Sequence, residues 1–149
     1  MAKLIGIATH AESKGPITLH NKISVSLEKG LKEDYQGQKN PLTQVTLLSL
    51  RTWNKACEEV NAQLNWIERR ANLLVDDMDF NADMVGQQIQ VGSVLLEVTK
   101  ETDPCARMDK LHPGLKQALT PDWSGGIRCK VLRAGTIELK DKVCLLKRV

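Results

Sequence analysis

Short alternations of apolar and polar residues run through most of this chain. Ile23, Val25 and Leu27 alternate with Ser24, Ser26 and Glu28, the period of a half-buried strand. Apolar, β-branched stretches predict further strands at residues 3–8, 44–48, 69–75, 125–132, 136–139 and 143–146. Residues 88–98 read as a hairpin turning at Gly92-Ser93. Turn residues separate these segments, among them Ser13-Lys14-Gly15-Pro16, Asp76-Asp77-Met78-Asp79 and Ala134-Gly135. The period changes once. Trp53, Ala56, Cys57, Val60 and Leu64 mark one helical face over residues 50–64, with Ser49 placed to cap it. Brief helical turns are expected at residues 80–84 and 114–119. Residues 29–41 are polar and aperiodic, which predicts a long loop, functional or disordered.

Many short strands with one good helix predict a mainly β domain. Closing the sheet into a barrel would remove exposed strand edges. The 149 residues suit one domain with no internal boundary. Only three Trp, one Tyr and one Phe are present, so the core must be aliphatic and a base-stacking surface is poorly supplied. The net charge is +3, with cations dispersed along the sequence, which argues against nucleic acid or a membrane surface as partner. An anionic small ligand stays compatible with it. No signal-peptide pattern and no membrane-length apolar run is seen, so a cytoplasmic protein with reduced thiols is expected.

The four cysteines, Cys57, Cys105, Cys129 and Cys144, show no CxxC and no zinc-finger spacing. Three lie on apolar faces and read as core. Cys105 differs: it follows a strand, stands behind Pro104 and has Arg107 nearby. Proline takes the chain out of the sheet, and a neighbouring cation favours the nucleophilic, metal-binding thiolate. The competing reading is a buried structural thiol. Arg69, Arg70 and Asn72 form a second cluster, since a guanidinium fork fits phosphate; surface ion pairs are the alternative. Gly125 and Gly126 either admit a ligand to the backbone or bend a strand. His10, His20 and His112 lack ligand spacing, so zinc is not expected.

These blocks in this order resemble the MOSC domain, the family named for the C-terminal domain of molybdenum cofactor sulfurase. The resemblance rests on Gly30-Leu31-Lys32-Glu33-Asp34-Tyr35-Gln36-Gly37 before the Gln44-Val45-Thr46-Leu47 strand, and on Arg69-Arg70-Ala71-Asn72-Leu73. Residues 86–92, Pro104-Cys105, and Gly125-Gly126 through Gly135-Thr136-Ile137 complete it. Ala71 is an insertion relative to the family pattern, Glu33 stands where glycine is frequent, and Lys140-Asp141 replaces Gly-Asp.

The resemblance implies a short, stand-alone bacterial MOSC-type β-barrel, closed or partly closed, with a few peripheral helices. It implies a sulfur carrier or a molybdenum-cofactor-binding domain, with Cys105 as persulfide carrier or molybdenum ligand. Arg69, Arg70, Asn72, Arg107, Gly125 and Gly126 are the expected cofactor-binding residues, and no pyridoxal phosphate site is expected. A cysteine desulfurase or a redox partner protein would be required. The alternatives are a molybdenum-dependent reductase of N-hydroxylated compounds and a non-catalytic binding barrel with a structural cysteine. An enzyme of this type would be a sulfurtransferase or an oxidoreductase.

Overall fold

The computed structural model describes residues 2–146. In chain order the elements are β1 (Leu4–Thr9), β2 (Thr18–Leu19), β3 (Lys22–Ser26), β4 (Gly30–Leu31), α1 (Tyr35–Lys39), β5 (Val45–Ser49), α2 (Leu50–Glu59) and β6 (Leu73–Val75). They continue with β7 (Gln88–Val91), β8 (Val94–Glu101), α3 (Ala106–Leu111), α4 (Leu115–Leu119), β9 (Ile127–Arg133), β10 (Gly135–Glu138) and β11 (Val143–Leu146). Single 3-10 turns occur at Trp66–Arg69, Ala82–Met84 and Pro121–Trp123.

The protein is mainly β with a few helices, built on one large mixed sheet. Its eight strands run β11-β7-β8-β9-β5-β6-β1-β2, and β10-β3-β4 form a second, smaller sheet. Every pairing is antiparallel except β5 with β6. Parallel neighbours need a crossover, and α2 supplies it. The edge strand β11 is tied back towards β1. Leu4 donates to the Asp141 carbonyl at 2.9 Å, Lys140 donates to the Leu4 carbonyl at 2.8 Å and Val143 donates to the Ala2 carbonyl at 3.0 Å. Lys3 and Lys142 form a bridge between them.

Side-chain alternation divides the interior in two. Leu47 and Leu73 point into an aliphatic core with Leu4, Ile89, Leu96 and Ile127. Their neighbours Leu48 and Leu74 point the other way and pack with Trp53, Met108, Leu115 and Leu119 beneath the helices. Each fully buried aliphatic side chain of this kind contributes roughly 1.5–3 kcal/mol.

Four local expectations are corrected. Helix α2 stops at Glu59, because Asn61 takes a left-handed conformation with φ 56°. Leu64 still joins the same cluster, and its carbonyl accepts the Trp53 indole N–H at 3.2 Å. Ser49 sits at the helix start without making a side-chain cap, and its buried hydroxyl has no partner. The expected loop at 29–41 contains β4 and α1, the helix being capped by Asp34, whose Oδ2 accepts the Gly37 N–H at 3.2 Å. The strand expected from residue 69 starts only at Leu73, since Arg69 ends a 3-10 turn.

A left-handed backbone recurs at or beside the three positions where the sequence departs from the resemblance. Glu33 and Lys140 have φ 61° and 81°, and Arg70, just before the inserted Ala71, has φ 64°. All three positions need the left-handed backbone that glycine adopts freely and other residues adopt at roughly 1–2 kcal/mol.

Candidate functional site

Strand β8 ends at Glu101, and Pro104 carries the chain away from the sheet. Cys105 follows as the residue that opens α3, its carbonyl accepting the Met108 N–H at 2.9 Å. Cys105 is the only exposed cysteine among the described residues; Cys57 and Cys129 are buried and Cys144 is half-buried. Burial pushes the Cys57 and Cys129 thiols up, which keeps both protonated and inert. Cys144 was expected in the core and sits on a partly exposed edge instead.

Arg69 fixes the turn that presents Cys105. It is 7% exposed. Its Nε donates to the Gly125 carbonyl at 3.1 Å, and its Nη2 donates to the carbonyls of Thr102 and Asp103 at 2.8 and 3.4 Å. Burial, reinforced by Arg107, lowers its pKa to about 10, with Cys105 acting in the opposite direction. It stays a cation at neutral pH. Arg107 reaches back from α3, donating from Nη1 to the Glu68 carbonyl at 2.9 Å and from Nη2 to the Arg69 carbonyl at 3.2 Å. Arg70 donates to the Gly15 carbonyl at 2.7 Å. Burial and Arg107 lower its pKa as well.

Asn72 joins three strands. Its Oδ1 accepts from Thr46 N–H at 3.0 Å, its Nδ2 donates to the Ala8 carbonyl at 3.1 Å, and its own N–H donates to the Thr46 hydroxyl at 2.9 Å. With every polar group engaged, Asn72 holds the wall together. Gly125 lies against the Arg69 guanidinium, where a Cβ would fall 2.6 Å from the Thr102 carbonyl and 3.0 Å from Arg69 Nη2. Gly126, at φ 109°, faces the Leu47 backbone.

These elements border a cavity of about 360 Å³, a size usual for small-ligand sites, which span roughly 300–1,000 Å³. Of the residues singled out by sequence, Arg69, Arg70, Asn72, Arg107 and Gly125 line it. Cys105 and Gly126 do not, although Cys105 stands in sequence between two lining residues, Thr102 and Arg107, and is close enough to act on the charge of Arg69.

The lining includes Lys14, Lys39 and Arg128 beside Arg69, Arg70 and Arg107, and contains no Asp or Glu. Cations dispersed along the sequence therefore converge on one cavity. Two polar atoms at lining residues, Arg128 Nε and Thr102 Oγ1, are buried without a partner, and such orphaned atoms call for a bound group or a water. His10 and Tyr35 also line the cavity. Their rings are 6.1 Å apart, and Lys39 Nζ lies 5.5 Å from the Tyr35 ring centre. Sequence reasoning passed over Lys14, Lys39, Arg128, His10 and Tyr35. Among the described residues no cluster of three or more His, Cys, Asp or Glu side chains could hold a metal ion.

A model of the MOSC domain matches residues 32–144. The fold resembles the solved YUAD protein from Bacillus subtilis, with a TM-score of 0.79 and 17% identity over 96% of this chain and 94% of that one. It also resembles YiiM from Geobacillus stearothermophilus and YiiM from Escherichia coli. Each has a TM-score of 0.73 and 14% identity over 99% of this chain, covering 76% and 71% of their own lengths. No curated protein matches the sequence.

Proposed function

The chain belongs to the MOSC domain family, and on that premise we propose that its basic cavity binds a phosphate-bearing molybdenum cofactor, with the Cys105 thiol at the rim. The observation that carries the reading is the lining: six Lys and Arg side chains and no carboxylate. Enclosing a phosphate requires opposite charge and donors at close quarters. The residues present fit such a group. Arg128 and Thr102 each hold a buried polar atom without a partner, and Lys14, Lys39 and Arg70 add charge to the same lining. Arg69 and Arg107 serve differently, because each guanidinium already holds two or more backbone carbonyls, where Arg70 holds the Gly15 carbonyl alone. In this reading the large sheet is a barrel, closed where residues 2–4 meet residues 140–143.

When bound, the cofactor supplies molybdenum redox chemistry. The chain's own part is to hold the phosphate, orient the ligand and present a soft sulfur ligand at the cavity mouth.

A second reading, a persulfide carrier, is favoured by the exposure of Cys105 outside the cavity wall. The Cys105 thiolate would attack the outer sulfur of a desulfurase persulfide. A new S–S bond forms on Cys105 while the donor S–S bond breaks, releasing the donor cysteine as thiolate.

Protein purified from a cofactor-competent host, analysed for molybdenum and for the phosphorylated pterin, tests the first reading. Stoichiometric cofactor that drops in Arg128→Gln supports it; protein from that host lacking both overturns it. Mass spectrometry after incubation with a desulfurase and cysteine tests the second, through one added sulfur on Cys105. If molybdenum is present, reduction of an N-hydroxylated base with a supplied electron donor separates an oxidoreductase from a carrier.

A further inference from the structure

We propose that His10 is an anion-binding residue of this cavity and that its proton enters together with the ligand. The inference rests on the anion-binding reading above and identifies the residue that answers to the ligand's charge.

His10 is 8% exposed and lines the cavity. Its backbone N–H donates to Asp34 Oδ1 at 3.2 Å, and its ring Nδ1 lies 3.9 Å from the same oxygen. Asp34 is fully buried and its second oxygen accepts from Gly37, so the carboxylate is held in place as the one counter-charge near the ring. Asp34, Arg70 and Tyr35 face His10, and Lys14 and Lys39 line the same cavity. Asp34 precedes α1, Tyr35 and Lys39 lie in α1, Arg70 lies in the turn before β6, and Lys14 lies between β1 and β2. Among these, only Asp34 is acidic.

Without a ligand, burial and the Arg70 cation hold the imidazole below its ordinary pKa, while Asp34 works in the opposite direction. At neutral pH the ring is therefore uncharged, despite standing in a cavity built for anions. A dianion entering this space adds negative potential at His10 and favours the imidazolium. Linkage is reciprocal: if the anion strengthens proton binding, the proton strengthens anion binding by the same factor. The neutral ring limits positive self-repulsion in the free protein, and the added charge appears only when an anion is there to balance it.

Sulfate is the probe, because it stays a dianion across the relevant range and any proton taken up belongs to the protein. Calorimetric titration of the full chain near pH 6.5, in buffers of different ionisation heat, is expected to show up to about half a proton taken up per sulfate. Affinity should be about tenfold higher at pH 5.5 than at pH 8, equal to a one-unit rise in the His10 pKa on binding. Wild-type proton NMR should show that rise at His10 and not at His20 or His112. His10→Gln should bind sulfate without proton uptake and with a flat pH dependence.

Sulfate bound with no proton uptake, or uptake that persists in His10→Gln, overturns the role of His10 and leaves the anion site standing. Sulfate that fails to bind at either pH overturns both. If His10→Gln does not fold, the wild-type NMR titration decides the question alone.

Discussion

The Arg69 guanidinium donates to the Thr102 carbonyl at 2.8 Å, so a buried cation holds the end of β8 just before the turn that carries Cys105. Arg69→Met would leave the Gly125, Thr102 and Asp103 carbonyls without their donor. Stability should fall by about 3 kcal/mol in urea denaturation. Arg69→Lys should recover less than half of that, because an ammonium cannot bridge separate carbonyls as a planar fork does.

Gly125→Ala tests the same junction from the other side. Its Cβ would meet the Thr102 carbonyl at 2.6 Å and Pro104 Cδ at 3.3 Å. The turn must shift, at a cost of roughly 1–3 kcal/mol. The alkylation rate of Cys105 should change with it, and an unchanged rate would show that the turn is held independently of Gly125.

The thiols should separate cleanly by reactivity. Iodoacetamide on the native protein should modify Cys105 first and Cys144 more slowly, leaving Cys57 and Cys129 until urea is added. Peptide mapping reads this directly, and early labelling of Cys129 would contradict its burial.

The pH dependence of stability should carry the signature of His10. Its pKa in the folded chain lies below the ordinary value of 6.5, so the unfolded chain binds the extra proton more readily. The contribution is therefore intact above about pH 6.5 and is lost as pH falls through that value towards the lower folded pKa. Thermal midpoints measured from pH 7.5 to 5 should decline less steeply in His10→Gln than in the wild type.

Lys140 occupies a left-handed position at φ 81°. Lys140→Gly should relieve that strain and raise stability by up to about 1 kcal/mol, since the gain is partly offset by glycine's greater freedom in the unfolded chain. Chemical denaturation measures it, with the donation from the Lys140 N–H to the Leu4 carbonyl preserved in the variant.

Strands such as β3 were legible because one face is buried and the other is not: Ile23 and Val25 are inside while Lys22 and Ser24 are exposed, although Leu27, read on the same inner face, lies past the strand end and is exposed. The β7–β8 hairpin was legible from Gly92-Ser93, which sits at the observed turn. Helices α1 and α3, of five and six residues, are too short to display a helical period, and tertiary contacts decide them. The exposure of Cys105 followed from its place after a strand and a proline. The basic cavity had no local signature. Lys14, Lys39, Arg70 and Arg128 come from separate elements, and only the fold of the sheet brings them together. The pairing of His10 with Asp34 spans 24 residues and leaves no trace in a sequence window.

The bonds joining residues 2–4 to residues 140–143 also set an order of events during synthesis. Strand β1 leaves the ribosome long before residues 140–143, so the backbone groups of residues 2–4 that they satisfy stay unpaired while the intervening strands are made. Such edges recruit other chains. Closure of this contact waits for residues 140–143, so the interval before they emerge is a period of exposure to misassembly.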